Sequence, residues 1–304
     1  MKLYHSLDEL PDDFAAGAVT IGNFDGVHRG HAHLLAQLKQ RAAEANGPAV
    51  VFTFEPHPVR LLRPDEAPAP LTWVARKAEL LSRLDIEAVV AYPTSREFLS
   101  LSANEYFQQI IVEQLKTKAI VEGPNFFFGK NREGNVELLG KLCKQASIKL
   151  DIVEPVRSGE EFVSSSRVRT AIAAGDVDAA NDMLTQPYRI RGMVTHGAGR
   201  GASIGFPTAN VSAVDTLLPG LGVYAGVGHT SEESWSAAIN VGPNPTFGED
   251  CLKVEVHLVD YRGDLYGKPL EVDFIRRLRD IRKFESKEQL VEQLQADIAS
   301  VRDV

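Results

Sequence analysis

The chain has 304 residues, 44% of them hydrophobic and 24% charged, with two cysteines, a length that predicts about two domains, each large enough to bury its own core. With 33 Lys and Arg against 41 Asp and Glu the formal charge is −8, a field that repels a polyanion, so no nucleic acid is expected as a partner. Cys143 and Cys251 lie far apart without C-x-x-C spacing, which argues against a structural zinc site and a disulfide framework and favours a reducing compartment.

In chain order, residues 1–14 carry Asp8, Glu9, Asp12 and Asp13 and no apolar leader. Residues 18–22, 50–54, 89–92, 119–122 and 150–153 are then short runs apolar at nearly every position. Segments 30–45, 73–84, 103–115 and 136–146 show helical spacing, with Leu34, Leu35, Leu38 and Ala42 sharing one face of the first. Strands of this kind, each followed by an amphipathic helix, predict a parallel sheet covered on both faces, a doubly wound α/β domain. The Pro-rich stretch 64–70 reads as a loop. Two short helical patterns follow between 164 and 184, and Gln186-Pro187 ends them. That break places the domain boundary, giving domains 1–186 and 187–304. Beyond it, strand-like stretches at 188–194, 223–229, 235–241, 252–259 and 270–274 predict a small antiparallel β-barrel with a C-terminal helix at 286–301. Nowhere do 18 apolar residues run together, so a soluble cytoplasmic chain with no membrane partner is expected.

The segment Gly22-Asn23-Phe24-Asp25-Gly26-Val27-His28-Arg29-Gly30-His31 lies between the first apolar run and the first helix. Open parallel sheets bind ligands at the carboxyl ends of their strands, and a helix start offers N–H groups and partial positive charge to a phosphate. His28 and His31, three apart across the helix entry, can both face such an anion as hydrogen-bond donors. Without a ligand the same residues read as a surface loop whose histidines cap a helix. A zinc site at His28, His31 and His33 lacks a fourth ligand at sensible spacing. The segment resembles the signature of the H-x-G-H nucleotidylyltransferases, which transfer a nucleoside monophosphate and release pyrophosphate.

Further along, Pro56-His57-Pro58 follows the second strand, Glu122-Gly123-Pro124-Asn125-Phe126-Phe127-Phe128-Gly129 follows the fourth, and Ser164-Ser165-Ser166-Arg167-Val168-Arg169 opens a helix. One crevice would collect all of these. Singly they read as a rigid strand exit, a turn and an N-cap cluster. As an ordered set they resemble the bacterial bifunctional riboflavin kinase/FAD synthetase family, over essentially the whole chain. The resemblance implies an FMN adenylyltransferase in 1–186, with Gly22, Phe24, Asp25, His28, His31, Asn125, Ser164, Ser165 and Arg169 on ATP. His28 and His31 would stabilise charge as pyrophosphate leaves, and Pro56, His57 and Pro58 would form the flavin side. The family's aromatic loop often reads D-F-x-F-G, where this chain has Asn125 first. Residues 123–130 are one residue too long for a phosphate-binding P-loop, and 197–201 lack the third glycine of a dinucleotide fingerprint.

In the second half, Gly197, Gly199, Gly201 and Gly205 precede Phe206-Pro207-Thr208-Ala209-Asn210. A glycine segment can fold over phosphates, and a Thr hydroxyl two positions from an Asn amide puts two hard oxygens on one face of an extended chain, which suits Mg²⁺ and a nucleotide. The plain alternative is a Gly-rich hairpin connection. The stretches 218–224, 240–247, 254–257 and 264–267 resemble the riboflavin kinase domain in order and spacing. That resemblance implies Thr208 and Asn210 on Mg²⁺-ATP, with Gly199, Gly201, Gly205 and Pro207 around the nucleotide. It makes Glu255 the base for the ribityl 5′-hydroxyl, and alternation puts Glu255 and His257 on one strand face. Ala202 stands where the family usually has a second basic residue, and Ile281 where an acidic one sometimes occurs.

The expected activity is thus phosphorylation of riboflavin to FMN and adenylylation of FMN to FAD, with riboflavin, FMN and ATP as small-molecule partners and Mg²⁺ as cofactor. The alternatives are a chain with only its adenylyltransferase site active, or a flavin- or nucleotide-binding protein without turnover.

Overall fold

The apolar runs of the first half become strands because their alternate residues each find a buried face. The computed structural model describes residues 1–197, 200–244 and 249–302, and contacts divide the chain into two units. The first comprises Met1–Pro68 and Val74–Val163. It begins with β1 (Lys2–Tyr4), β2 (Ala18–Ile21), α1 (Arg29–Glu44), β3 (Ala49–Glu55), α2 (Pro58–Leu62) and α3 (Val74–Ser82). β4 (Ala88–Pro93), α4 (Arg96–Leu99) and α5 (Ala103–Tyr106) follow, α5 running into a π-helical segment, Phe107–Gln114. β5 (Ala119–Glu122), the ribbon β6 (Phe127–Phe128) and β7 (Gly134–Asn135), α6 (Val136–Ala146), β8 (Lys149–Ile152) and the ribbon β9 (Arg157–Ser158) and β10 (Glu161–Phe162) complete it.

Six strands form one sheet in the order β1-β4-β3-β2-β5-β8, parallel at every pairing. Val19, Val50, Phe52, Val90 and Ile120 pack on one face with Ile110, Ile111 and Leu139. Ala18, Val51, Val89 and Val121 pack on the other with Leu35 and Leu38 of α1 and Leu80 and Leu81 of α3. Helices on both faces are the doubly wound arrangement the pattern predicts. The edge strand β1 has only three residues, too few for a sequence period to reveal. The 64–70 stretch holds one 3₁₀ turn, Pro64–Glu66.

The second unit comprises Ala69–Trp73 and Ser164–Val304. It contains α7 (Ser165–Ala174), α8 (Val177–Met183), β11 (Tyr188–Thr195), α9 (Arg200–Ser203), β12 (Ala209–Ser212), β13 (Gly222–His229), β14 (Ser234–Asn244), β15 (Glu249–Leu258), β16 (Pro269–Arg279) and α10 (Lys287–Val301). The strands close a barrel in the order β11-β12-β15-β14-β13-β16, antiparallel throughout. Tyr224 and Phe274, both fully buried, meet edge to face inside it with centroids 5.3 Å apart. α10 is held by Val301 and Ile298 against Ala225 and Val259 and by Asp297, which accepts two hydrogen bonds from Arg279 at 3.0 and 2.7 Å.

Contacts draw the division at Val163/Ser164, whereas the change of sequence pattern falls at 186/187. The helical pair α7 and α8 belongs with the barrel by contact. The Asn181 amide donates to the Phe274 carbonyl at 2.8 Å and its oxygen accepts the Tyr188 N–H at 2.9 Å, tying α8 to β16 and β11. The 69–73 segment joins the same unit through the Leu217 N–H on the Pro70 carbonyl and the Arg191 guanidinium 4.7 Å over the Trp73 ring.

Candidate active sites

In the first unit the chain passes from β2 to β3 on one side and reaches β5 on the other, so the sheet order reverses between β2 and β5. A crevice opens at the carboxyl ends of strands at such a reversal. Phe24, Gly26 and Val27 carry φ values of 47°, 84° and 42°, and a β-branched residue with positive φ is held there only by its surroundings. Phe24, Asp25, Val27 and His28 are all buried. Gly22 donates its N–H to the Phe52 carbonyl at 3.0 Å, and the Phe24 ring folds over it, 3.2 Å from where a Cβ would stand.

His28 is the N-cap of α1. Its Nδ1 accepts the His31 N–H at 3.3 Å, and the His31 Nδ1 accepts the His28 N–H at 3.3 Å. The rings stack with centroids 3.6 Å apart and planes 14° apart, and Phe24 closes against His31 at 4.8 Å. An Nδ1 that accepts leaves Nε2 as the N–H of a neutral imidazole. Burial, then the neighbouring His28, then Lys77 hold the His31 imidazole well below its usual range. The pair is therefore a capping box whose Nδ1 atoms both accept, leaving Nε2 as the N–H position of each ring beside a helix N-terminus, which is the helix-cap reading of the sequence.

His57 caps α2, its Nδ1 accepting the Val59 N–H at 3.1 Å, and its Nε2 lies 2.8 Å from Asn23 Nδ2. The loop after β3 is thus joined to the loop after β2, with Pro56 and Pro58 on either side of the contact. Asn125 is exposed in the turn after β5, where the Phe126 N–H returns to the Gly123 carbonyl at 3.2 Å. Ser164, Ser165 and Arg169 belong to the second unit. Ser164 caps α7 by accepting the Arg167 N–H at 3.3 Å, and Arg169 donates to the Ala69 carbonyl at 2.9 Å.

In the barrel, Asn210 pairs with Glu255 across β12 and β15, and Asn240 pairs with Glu255 across β14 and β15. Directly paired residues share a face. Val254 and Val256 are buried, so the Asn210–Glu255–Asn240 row lies on the opposite, outward face. Thr208 stands two residues before Asn210. Glu255 and His257 share that face, and the His257 Nδ1–H donates to the Pro207 carbonyl at 2.7 Å, fastening Pro207-Thr208 to β15. A Cβ at Gly197 would overlap the Asn210 amide. One at Gly201 would overlap the Phe206 carbonyl and reach 3.4 Å from Thr208 Oγ1. Gly205 sits at φ 91°. Ala202 is exposed on α9, and the Ile281 side chain lies against Gly242. A cavity of about 380 Å³ opens beside Asn210, lined also by Thr195, His196, Gly197, Leu252 and Val254. Gly199 lies outside the described residues, as do 245–248 of the 240–247 motif.

Two family models match the chain: FAD synthetase over residues 11–167 and riboflavin kinase over residues 184–304. The chain belongs to the bifunctional riboflavin kinase/FMN adenylyltransferase family. Relatives of that name are 37% identical over 99% of this chain and 97% of theirs in Pseudomonas fluorescens, and 35% identical over 100% and 97% in Escherichia coli strain K12. A crystal structure described as a macrolide-efflux protein from Streptococcus pneumoniae is 31% identical, with a TM-score of 0.88 over 100% of this chain and 99% of that one. Among the described residues no helix is long and apolar enough to cross a membrane.

Three residues beside these candidates, Lys77, Glu122 and Asn240, carry no role in the sequence reading. Lys77 is buried and donates to Thr53 Oγ1 at 3.3 Å, which in turn donates to the Asn23 carbonyl at 3.2 Å. Its signal was visible, since Lys77 falls on the Trp73, Leu80, Leu81, Leu84 stripe of a predicted amphipathic helix. Glu122 is buried at the end of β5, and burial raises its carboxyl well above the usual range against the Ile21 N–H and Thr20 hydroxyl that it accepts. Asn240 is identified only by strand register.

Proposed function

We propose that the two units house consecutive reactions of a riboflavin kinase/FMN adenylyltransferase. Riboflavin and ATP give FMN and ADP in the barrel, and FMN and ATP then give FAD and pyrophosphate at the β2–α1 site. The observation that carries this reading is the coincidence of two family matches with two separate sites, the FAD synthetase match spanning the His28–His31 box and the riboflavin kinase match spanning the Asn210–Glu255 pair.

In adenylyl transfer the FMN phosphate attacks the α-phosphorus of ATP and pyrophosphate leaves, so charge must be stabilised on oxygens that are already anionic. Neutral Nε2–H groups of His28 and His31 and the N-terminus of α1 supply fixed donors for that charge, with Gly22, Phe24 and Asp25 shaping the loop around them. His57 with Pro56 and Pro58 faces the flavin, and Asn125 orients the nucleotide.

In riboflavin phosphorylation Glu255 accepts the proton of the attacking 5′-hydroxyl, the principal chemical task left to a protein in phosphoryl transfer. Gly201, Gly205 and Pro207 enclose the nucleotide beside the cavity at Asn210. Among the described residues there is no cluster of three His, Cys, Asp or Glu for a metal, and the donors on offer are the Thr208 hydroxyl and the Asn210 amide oxygen. Hard, neutral oxygens in small number fit Mg²⁺, which keeps most of its ligands as water and phosphate. Thr208 and Asn210 would hold it, and it would offset the charge of the transferring phosphate. The cytoplasm is the compartment this reading implies.

Purified protein incubated with riboflavin, ATP and Mg²⁺, with a parallel tube started from FMN, tests the reading by chromatography over time. FMN should rise before FAD in the first tube, and FAD should form directly in the second. FAD in the second tube without FMN in the first would remove the kinase reaction, and no product in either would reject both.

A further inference from the structure

We propose that Lys77 is a positioning residue of the adenylyl-transfer site, anchoring the Asn23–Gly26 loop through Thr53 and Asp25 and so fixing where the two imidazoles stand. The inference rests on the function proposed for that site.

α3 buries Arg76 and Lys77 together, at 3% and 6% exposure, yet the two differ. Arg76 pairs with Glu79 on its own helix at 2.8 Å, whereas Lys77 reaches across to Thr53 at the end of β3. Thr53 passes the contact on to the Asn23 backbone, in the stretch where Phe24, Gly26 and Val27 take positive φ. Burial lowers the Lys77 ammonium from its usual range, and the Asp25 and Glu55 carboxylates, which face it from the loop and from β3, oppose that shift. A buried cation is costly unless paired. A methionine would satisfy the helix face at less expense, so the charge at Lys77 is explained by what it holds.

The groups facing His31 are His28 from its own helix and Lys77 from α3, and both disfavour a second proton on the ring. The same ammonium therefore holds the loop and keeps His31 an Nε2–H donor whose Nδ1 remains free to accept the His28 N–H.

The test uses the full chain carrying Lys77→Met or Lys77→Arg, with FAD formation from FMN and ATP followed against pH and the His31 imidazole titrated by NMR without nucleotide. Lys77→Met should lower kcat on the order of 10- to 100-fold, as a misplaced catalytic group does. It should also move the His31 titration and the acid limb of the rate profile upward, toward about 6.5. Lys77→Arg should recover most of the rate, and riboflavin phosphorylation by both variants should match wild type. Wild-type FAD synthesis with an unmoved His31 titration in Lys77→Met would overturn the proposal. So would a loss of thermal stability in which the pH profile and the His31 titration stay where they were, the mark of a purely structural lysine. If Lys77→Met does not fold, Thr53→Val keeps the charge and removes the bridge. Its kcat should then fall about 10-fold, and an unchanged kcat would sink the anchoring role. A wild-type chain that makes no FAD rejects the function of the site itself, a result separable from the His31 titration.

Discussion

Glu122 Oε1 accepts the Ile21 amide N–H at 2.6 Å, so the two strands flanking the first site are joined at their ends by a carboxyl group rather than by a ladder hydrogen bond. Backbone register between β2 and β5 is seen at Val19 and Ile120, and Glu122 spans the opening above it. Because burial raises the Glu122 pKa, the folded chain binds its proton more tightly than the unfolded one. Its contribution is full below about 4.5 and is lost as pH rises through the folded value. Glu122→Gln should preserve the contact and remove that pH dependence, while Glu122→Leu, which strands the Ile21 N–H, should cost about 1–3 kcal/mol. Hydrogen exchange of β2 amides in the three proteins distinguishes these outcomes.

His31 carries the opposite sign of linkage. Its folded pKa lies below the unfolded value, so its contribution is present above about 6.5 and is lost as pH falls toward the folded value, by up to about 1.4 kcal/mol per pH unit. Protection of α1 amides should therefore weaken between pH 7 and 5 in the wild type. His31→Asn, which keeps an acceptor for the His28 N–H, should flatten that slope, and an equal slope in both would refute the assignment.

His28→Ala removes a donor from the phosphate and the N-cap of α1 together. FAD formation should fall on the order of 10²- to 10³-fold while riboflavin phosphorylation continues at the wild-type rate. Undiminished FAD synthesis by the variant would take His28 out of the site.

Glu255→Gln keeps the size of the side chain between Asn210 and Asn240 and removes the base. Phosphorylation of riboflavin should drop by about 10²- to 10⁴-fold, with FMN supplied directly still adenylylated. A kinase rate within twofold of wild type would exclude the base role.

Away from either site, Asp273 accepts hydrogen bonds from Arg189 at 2.5 and 2.8 Å and lies 2.8 Å from His229 Nε2. Burial pushes its carboxyl up, but the hydrogen bonds from His229 and Arg189 prevail and hold it below the usual range. Its contribution is present above about 3.8 and is lost as pH falls through the folded value. Asp273→Asn should destabilise the barrel by about 3–5 kcal/mol near neutral pH. Both tryptophans, Trp73 and Trp235, lie in that unit, so urea unfolding followed by their fluorescence reports it selectively.

Much of this molecule is determined by order along the chain. Runs apolar at nearly every position, spaced by amphipathic helices, required a parallel sheet with two covered faces, and the short punctuated strands after Pro187 required a barrel. His28, His31, Thr208, Asn210 and Glu255 can be named as candidates from sequence because each stands in a short motif at a strand or helix end. What tertiary structure alone decided concerns groups that meet across long separations. The tautomers of His28 and His31 follow from two reciprocal caps, the row of Asn210, Glu255 and Asn240 follows from strand register, and the helical pair α7 and α8 joins the barrel through Asn181. Lys77 and Glu122 stand 24 and 101 residues from the groups they hold. Periodicity reports which face of an element is buried. It carries no record of what a buried charge meets there, because that partner is chosen by the packing of other elements.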